Sequence, residues 1–297
     1  MNYIILDMEW DSAFFVPEKR FINQILQIGA VKLNDKFDII DVFDVTIRSS
    51  FSKKVSRRFT ELTGITKDMM LAGKPLETAV KMYNDFVGEE SITMTWSNSD
   101  LYTIVENERL LLKNCRFKMD KYLDLQKFIQ NEFRLMGHEL DSQISLANAA
   151  ALLDIKTEGY DFHTAKDDSA VCALLLKHCY NKERFSEYIK DTSDPEFYNR
   201  LTFKAHYIED MNSPDIPKDT FDFYCEECGK KLNLKGKWNF HNRNFSARFY
   251  CDECDKKYIA RVSARKTYED VKIRRKLILR LPKEENENEV QSLPEKV

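Results

Sequence analysis

The chain has 297 residues and a formal net charge of −3, with 43% of residues hydrophobic and 32% charged. That hydrophobic content excludes a disordered chain, and the length admits one sizeable domain plus a small one. The apolar runs fall far short of the roughly 20 residues that a membrane span needs, which excludes a helical membrane protein.

Charge is unevenly spread. Residues 225–283 carry 17 Lys/Arg against 7 Asp/Glu, residues 284–297 carry five Glu and one Lys, and the first 224 residues are net acidic. An acidic body followed by a basic module implies two parts with different roles. Acidic residues arrive early, at Asp7 and Glu9, with no basic stretch before them, so no export signal is expected. Cys115, Cys172 and Cys179 have no paired spacing, in keeping with a reducing cytoplasm.

In chain order, Tyr3 to Leu6 reads as a buried strand ending at Asp7 and Glu9, and Asp11 to Arg20 as a loop containing Pro17. Phe21 to Leu33 and Phe37 to Ile47 read as two more strands joined by a turn at Asn34-Asp35. Phe59 to Thr66 predicts a short helix stopped by Gly64. Pro75 to Val87 has helical spacing, with Leu76, Val80, Tyr83 and Val87 on one stripe. Ser91 to Trp96 reads as a strand and Asp100 to Leu112 as a helix capped by Asn98 or Ser99. Tyr122 to Leu125 is a further short strand, with helices at Gln126 to Leu135, Ser145 to Leu153 and Ala165 to Cys179. Strands first, then strands alternating with helices, imply an α/β domain built on a mixed sheet. It is expected to span residues 1–190, followed by a Pro- and Asp-rich linker at 191–223, a module at 224–283 and a disordered acidic tail at 284–297.

The carboxylates carry the chemistry. Side chains two apart in a strand share a face, so Asp7 and Glu9 point the same way. Two adjacent carboxylates repel and lose hydration unless a cation joins them, and hard oxygen ligands suit magnesium or manganese. Asp100 stands directly after a predicted strand, where a neighbouring strand end can reach the same site; helix capping is the plain alternative. His163 precedes the last predicted helix. On that helix Asp168 shares a stripe with Val171, Cys172 and Leu175, while Asp167 also has apolar neighbours, so periodicity alone leaves the choice between them open.

The order Asp-x-Glu, a third Asp about ninety residues on, then His-x4-Asp resembles the DEDDh 3′→5′ exonucleases of the ribonuclease H-like superfamily. QILQIGAVKLN, LTGIT, TMTWSNSD and SLANAAALLDI followed by HTAKDDSAVCALLL are similar to further family segments, so the resemblance covers roughly residues 1 to 185. Within the family the chain looks most like the bacterial Eri-1/KapD-like branch. The resemblance implies a ribonuclease H-like mixed sheet flanked by helices. It implies that Asp7 bridges two Mg²⁺ or Mn²⁺ ions, that Glu9, Asp100 and Asp168 complete their coordination, and that His163 is the general base. The His-x4-Asp spacing of the family selects Asp168 over Asp167. LTGIT resembles the segment near the substrate's terminal nucleotide, which puts Leu62, Thr63 and Ile65 at the substrate. Trp10 and Asp11 stand where the family commonly has a small residue or Thr shortly after its Glu; Trp10 is expected either to stack on a base or to join the core.

Cys225-x-x-Cys228 and Cys251-x-x-Cys254 are two knuckles that supply four thiolates, the donor set of a structural Zn²⁺ in a small β-rich zinc ribbon. Basic residues interleave with Trp238, Phe240, Phe245, Phe249 and Tyr250, a pattern that suits nucleic acid if the rings are free and a ribbon core if they are not. The resemblance thus implies a metal-dependent 3′→5′ exonuclease on single-stranded nucleic acid, RNA in preference to DNA, that releases nucleoside 5′-monophosphates. The competing reading is a non-catalytic nucleic-acid- or protein-binding module on a nuclease-like fold.

Overall fold

The computed structural model describes residues 1–140 and 142–280; the expected acidic tail and the last three residues of the expected C-terminal module lie outside the described residues. The described chain divides into two compact units at Thr202 and Phe203.

The first unit is built on strands β1 (Asn2–Phe15), β2 (Arg20–Leu33), β3 (Ile39–Thr46), β4 (Ser91–Thr95), β5 (Lys121–Asp124) and β6 (Lys190–Asp191). They form one sheet in the order β3-β2-β1-β4-β5-β6. The first three strands pair antiparallel, β1, β4 and β5 pair parallel, and β6 returns antiparallel. The helices are α1 (Arg57–Thr63), α2 (Lys67–Ala72), α3 (Leu76–Val87), α4 (Ser99–Leu111), α5 (Leu125–Leu135), α6 (Leu146–Leu152), α7 (Ala165–Cys179), α8 (Lys182–Tyr188) and α9 (Pro195–Thr202). The expected mixed α/β sheet flanked by helices is what forms.

Alternation along β1 divides the core. Ile4, Leu6 and Met8 join Val80 and Tyr83 of α3 and Leu101 and Ile104 of α4 on one face. Ile5 and Val31 join Phe128 and Phe133 of α5 and Leu175 and Leu176 of α7 on the other. The central strand β4 is buried at all five residues, as a parallel strand covered on both faces must be.

The early hairpin corrects the sequence reading. Residues 11–15, expected as loop, continue β1, so Asp7 and Glu9 sit in mid-strand. Asp11 and Ala13 are buried while Ser12 and Phe14 are exposed, a two-residue period too short to stand out beside Pro17. The turn is a short 3-10 segment at Val16–Glu18 with Pro17 in its first turn and Lys19 left-handed at φ 49°. Edge-to-face packing of Phe14 on Phe21 ties the two strand ends together. A register shift between Glu9 and Trp10 marks a bulge immediately beyond the paired carboxylates. Residues 195–202, within the stretch expected as linker, form α9, and its Leu201 is buried in the first unit's core.

The second unit is a five-stranded antiparallel sheet of β7 (His206–Tyr207), β8 (Asn233–His241), β9 (Asn244–Cys251), β10 (Lys256–Lys266) and β11 (Val271–Leu279), in which β7 pairs with β10. Its core is Phe245, Ala247 and Phe249 of β9 with Tyr258, Ala260 and Val262 of β10, roofed by Ile208, Ile216 and Phe223. Trp238 and Phe240 pack against this core. Four of the five rings that sequence offered for base stacking are therefore engaged with the unit's own interior, because they occupy the alternate positions that face it. No helix among the described residues is long and apolar enough to cross a membrane.

Candidate active site and cysteine cluster

Three separate elements bring the carboxylates together. Asp7 and Glu9 project from the middle of β1 and Asp168 from the first turn of α7, and one oxygen from each lies within 4.8 Å of the others. Asp100, in the first turn of α4, is buried; its Oδ1 accepts from the Met8 backbone N–H at 3.0 Å, midway between Asp7 and Glu9. Asp167 instead turns back to its own loop, where its Oδ2 accepts from Asp161 N (3.1 Å) and Thr164 Oγ1 (3.0 Å). The backbone thus separates two neighbours that periodicity could not.

His163 lies on the loop before α7 with its side chain exposed and φ at 70°, a left-handed conformation uncommon for a side-chain-bearing residue. Its backbone N–H donates to Asp168 Oδ2 at 3.3 Å, which ties the loop to the carboxylate cluster. The four acids strain against each other. Burial, then the charges of Asp100, Asp168 and Glu9, hold the Asp7 carboxyl well above the usual carboxylate range. Burial and the charges of Asp168 and Asp100 lift Glu9 to about 8. Asp100 is raised to about 7 and Asp168 to about 6, burial leading in both. Asp168 Oδ1 is buried with no hydrogen-bond partner. An orphaned oxygen within a like-charged cluster of hard donors is what a divalent cation fits.

This arrangement sets a pH dependence. Each of these acids titrates higher in the folded chain than in the unfolded one. The stability contributed by their protonation is complete below about pH 4 and is lost as pH rises through about 6 to about 8. In buffer freed of divalent metal, thermal unfolding of the first unit is expected at lower temperature at pH 8 than at pH 5. Mn²⁺ at about a hundred times its dissociation constant is expected to add about 2.7 kcal/mol at pH 8 and far less at pH 5. A scan series with and without Mn²⁺ checks both; equal gains at the two pH values would refute the cluster as the binding site.

Two features to which the sequence reading gave no structural role position the site. Gly29 pairs with Asp7 across the β1–β2 ladder, and a Cβ there would stand 2.2 Å from Lys166 N and 2.3 Å from the Ala165 carbonyl carbon. The missing side chain is what lets the start of α7 lie against the sheet and deliver Asp168. Gly29→Ala is expected to lower stability by about 1–3 kcal/mol or more and to weaken Mn²⁺ binding, read from the urea midpoint with and without the metal. The second is Asp11, two residues beyond Glu9, whose carboxylate accepts from Ser56 N (2.5 Å) and Ser56 Oγ (2.9 Å). Ser56 caps α1, so Asp11 fixes that helix to the strand that carries the acids. Its alternation with Asp7 and Glu9 was the available signal.

The expected substrate residues separate. Leu62 is exposed at the end of α1, and Thr63 there donates from Oγ1 to the Phe59 carbonyl at 2.9 Å. Ile65 is buried with Leu26, Phe59 and Met70, so its side chain supports the segment from within. Trp10 is half-buried and packs on the core that contains Leu6 and Met8.

In the second unit the sulfurs of Cys225, Cys228, Cys251 and Cys254 lie within 4.8 Å of one another. Cys225 Sγ is 3.8 Å from Cys254 Sγ, and Cys228 Sγ is 3.5 Å from Cys251 Sγ. A tetrahedron with metal–sulfur bonds of about 2.3 Å has edges of about 3.8 Å. The backbone N–H of Cys228, with the Tyr258 hydroxyl, lowers the Cys225 thiol to about 6 and favours its thiolate, while the neighbouring Cys251 and Cys254 thiols are raised. The residues fit a four-thiolate metal site.

The chain matches the family model for Exonuclease (RNase_T) over residues 18–176, a span that begins after Asp7 and Glu9 and contains Asp100, His163 and Asp168. The PolC-type DNA polymerase III of Thermotoga petrophila is 25% identical over 204 residues, covering 65% of this chain and 13% of the polymerase. That of Clostridium perfringens is 22% identical over 216 residues, covering 73% and 13%. The chain therefore spans 13% of the length of these relatives. Among solved structures, the nuclease domain of 3′hExo, a DEDDh family member bound to rAMP, is similar with a TM-score of 0.51 and 21% identity over 60% of this chain and 90% of that one. A 3′-exonuclease solved in 3′-end-specific recognition of a histone mRNA stem-loop gives 0.52 with 19% identity over 60% and 80%. These likenesses establish the fold as that of the ribonuclease H-like exonucleases.

Proposed function

The chain belongs to the Exonuclease (RNase_T) family, and from that premise we propose that it is a metal-dependent 3′→5′ exonuclease that degrades single-stranded nucleic acid, RNA in preference to DNA, to nucleoside 5′-monophosphates. The observation that carries this reading is the convergence of Asp7, Glu9 and Asp168 from distant parts of the chain, with Asp100 held beside them. Repulsion among half-buried acids beside the buried Asp100 costs stability, so their assembly argues for a bound cation.

In this reading Asp7, Glu9, Asp100 and Asp168 would hold two Mg²⁺ or Mn²⁺ ions, which would supply positive charge at the scissile phosphate and lower the pKa of an attacking water. Asp7 would serve as a ligand from the centre of the cluster, and Asp100, anchored by the Met8 N–H, keeps one oxygen turned toward β1. His163 takes the proton of the water that attacks the terminal phosphodiester. Its exposed position on the loop lets that proton pass to solvent. Leu62 and Thr63 contact the terminal nucleotide. The four cysteines hold one structural Zn²⁺ in a zinc ribbon, and the chain sits with the Eri-1/KapD-like branch in a reducing cytoplasm.

The direction and the RNA preference rest on the similar structures, one bound to rAMP and one recognising an mRNA 3′ end. The polymerase relatives favour DNA instead, so the test uses both. Oligoribonucleotide and oligodeoxyribonucleotide labelled at the 5′ end are incubated with the pure chain and Mg²⁺, Mn²⁺ or neither. Stepwise shortening from the 3′ end, faster on RNA and dependent on metal, is expected. No shortening of either strand under either metal supports the non-catalytic binding module in its place.

A further inference from the structure

The second unit's sheet has one covered face and one open face, and the open face is cationic from strand to strand. Along β10 the buried residues Tyr258, Ala260, Val262 and Ala264 alternate with Lys257, Ile259, Arg261 and Arg265, which face away from the core. The register carries that alternation to the neighbouring strands. Arg261 lies opposite Lys276 and Arg265 opposite Lys272 on β11, with Arg274 between them on the same face. On the other side Lys235 of β8 lies opposite Arg248 of β9. All of these basic side chains are exposed, and the matching positions of the four strands carry no acid.

Like charges directly opposite on neighbouring strands destabilise a sheet. Three such pairs on one face oppose folding, and none of Arg248, Arg261, Arg274 and Lys276 is relieved by an ion pair among the described residues. Cations of the same unit that lie off this face do pair: Lys230 with Glu253, Lys256 with Glu227 and Lys266 with Asp215. Those four cations of the open face thus keep their charge unpaired among the described residues, whereas the three off it are neutralised. Alternate residues of a strand recur about every 6.6 Å and strands lie about 4.8 Å apart, so Lys272 to Arg280 spans about 26 Å. At one end Lys235, Arg248, Tyr250, Lys257 and Arg280 line a cavity of about 530 Å³ whose one acid, Asp255, is occupied by the Tyr250 hydroxyl.

We propose that this face is a platform for nucleic acid, binding a strand through its phosphates without reading sequence. The inference rests on the exonuclease reading for the class of polyanion. Phosphates placed between the paired cations remove the cross-strand repulsion, and displacement of their counterions drives binding. Four of the rings are engaged with the unit's own core and leave the exposed surface mainly to charge, so contact is made by Lys and Arg rather than by a row of stacked bases.

The full-length chain is titrated into labelled 20-nucleotide RNA and DNA strands, without added divalent metal, at 50 to 200 mM salt, and anisotropy is recorded. The triple variant R261E/R274E/K276E is expected to bind at least about 30-fold more weakly at the lowest salt. Its plot of log affinity against log salt is expected to be shallower by about 2, at roughly 0.7 for each single-strand phosphate that the variant no longer neutralises. R261Q/R274Q/K276Q, which removes charge without adding repulsion, is expected to give the same flattening with a smaller fall in affinity. Unchanged affinity and slope in both triple variants overturn the platform, as does capture of anionic lipid vesicles in preference to either strand. Hydrolysis of a dinucleotide by the wild-type chain with Mn²⁺ reports the exonuclease reading separately, because two nucleotides cannot span the face.

Discussion

Asp7→Asn is expected to abolish exonuclease activity without loosening the fold. Asp7 lies at the centre of the cluster: Asp100, Asp168 and Glu9 all act on its carboxyl, and burial removes the water that would screen them. A neutral amide keeps the shape of the side chain but lacks the charge that holds a divalent cation. Metal charge contributes several kcal/mol at a phosphoryl transition state, and about 1.4 kcal/mol corresponds to tenfold in rate. A fall in kcat of about 10³-fold or more is therefore expected at saturating Mn²⁺. Stability should move the other way. Removing one of four crowded charges relieves repulsion, so the metal-free variant is expected to unfold at or above the wild-type temperature at pH 8, and the gain in that temperature on adding Mn²⁺ is expected to vanish. Turnover and thermal scans on the same preparations separate the two effects. Activity within tenfold of wild type would sink the assignment of Asp7, and a large fall in metal-free stability would show that its role is structural.

The same strand shows what the sequence made legible. Asp7 and Glu9 were readable as one-face partners because a two-residue period is local, and the His-x4-Asp spacing singled out Asp168 only through a family resemblance. What separates Asp168 from Asp167 is the loop hydrogen bonding of Asp161 and Thr164, a matter of backbone geometry that periodicity does not encode. The continuation of β1 through Phe15 was hidden because Pro17 stands close behind a short alternating stretch, and only the partner strand reveals the pairing. Gly29 was unreadable for a deeper reason. Its significance is the approach of α7 to β2, a contact between residues more than a hundred positions apart. In the second unit, alternation announced strands but not which face would be covered. The segment around Ile208, Ile216 and Phe223, taken as linker, supplies that cover and so decides which side chains become core and which remain open.

Cys225→Ser is expected to cost the second unit its folded state while the first remains folded. Cys225 is buried, its backbone N–H donates to the Lys230 carbonyl at 2.8 Å, and its carbonyl accepts from Gly229 N at 2.9 Å. These bonds close the tight knuckle that holds its sulfur beside that of Cys254. A serine oxygen ionises far less readily than a thiol that the surrounding amides already lower to about 6, so the fourth ligand is lost. Structural zinc contributes about 10–16 kcal/mol in small domains, whereas an apolar core of this size rarely supplies more than about 3–5 kcal/mol. The unit also bears opposed like charges across its open face, so its core has no surplus to replace the metal. Zinc content is expected to fall from one per chain towards none, and residues 203–280 are expected to become protease-sensitive. The first unit has its own two core clusters, so its cooperative urea transition is expected to persist. Cys228→Ser, at an exposed sulfur, is expected to behave the same way, because the metal and not the burial of one side chain holds the knuckles together. Full zinc content and protease resistance in both variants would refute the four-thiolate site. Loss of zinc with protease resistance retained would show that the aromatic core of Phe245, Phe249 and Trp238 suffices without it.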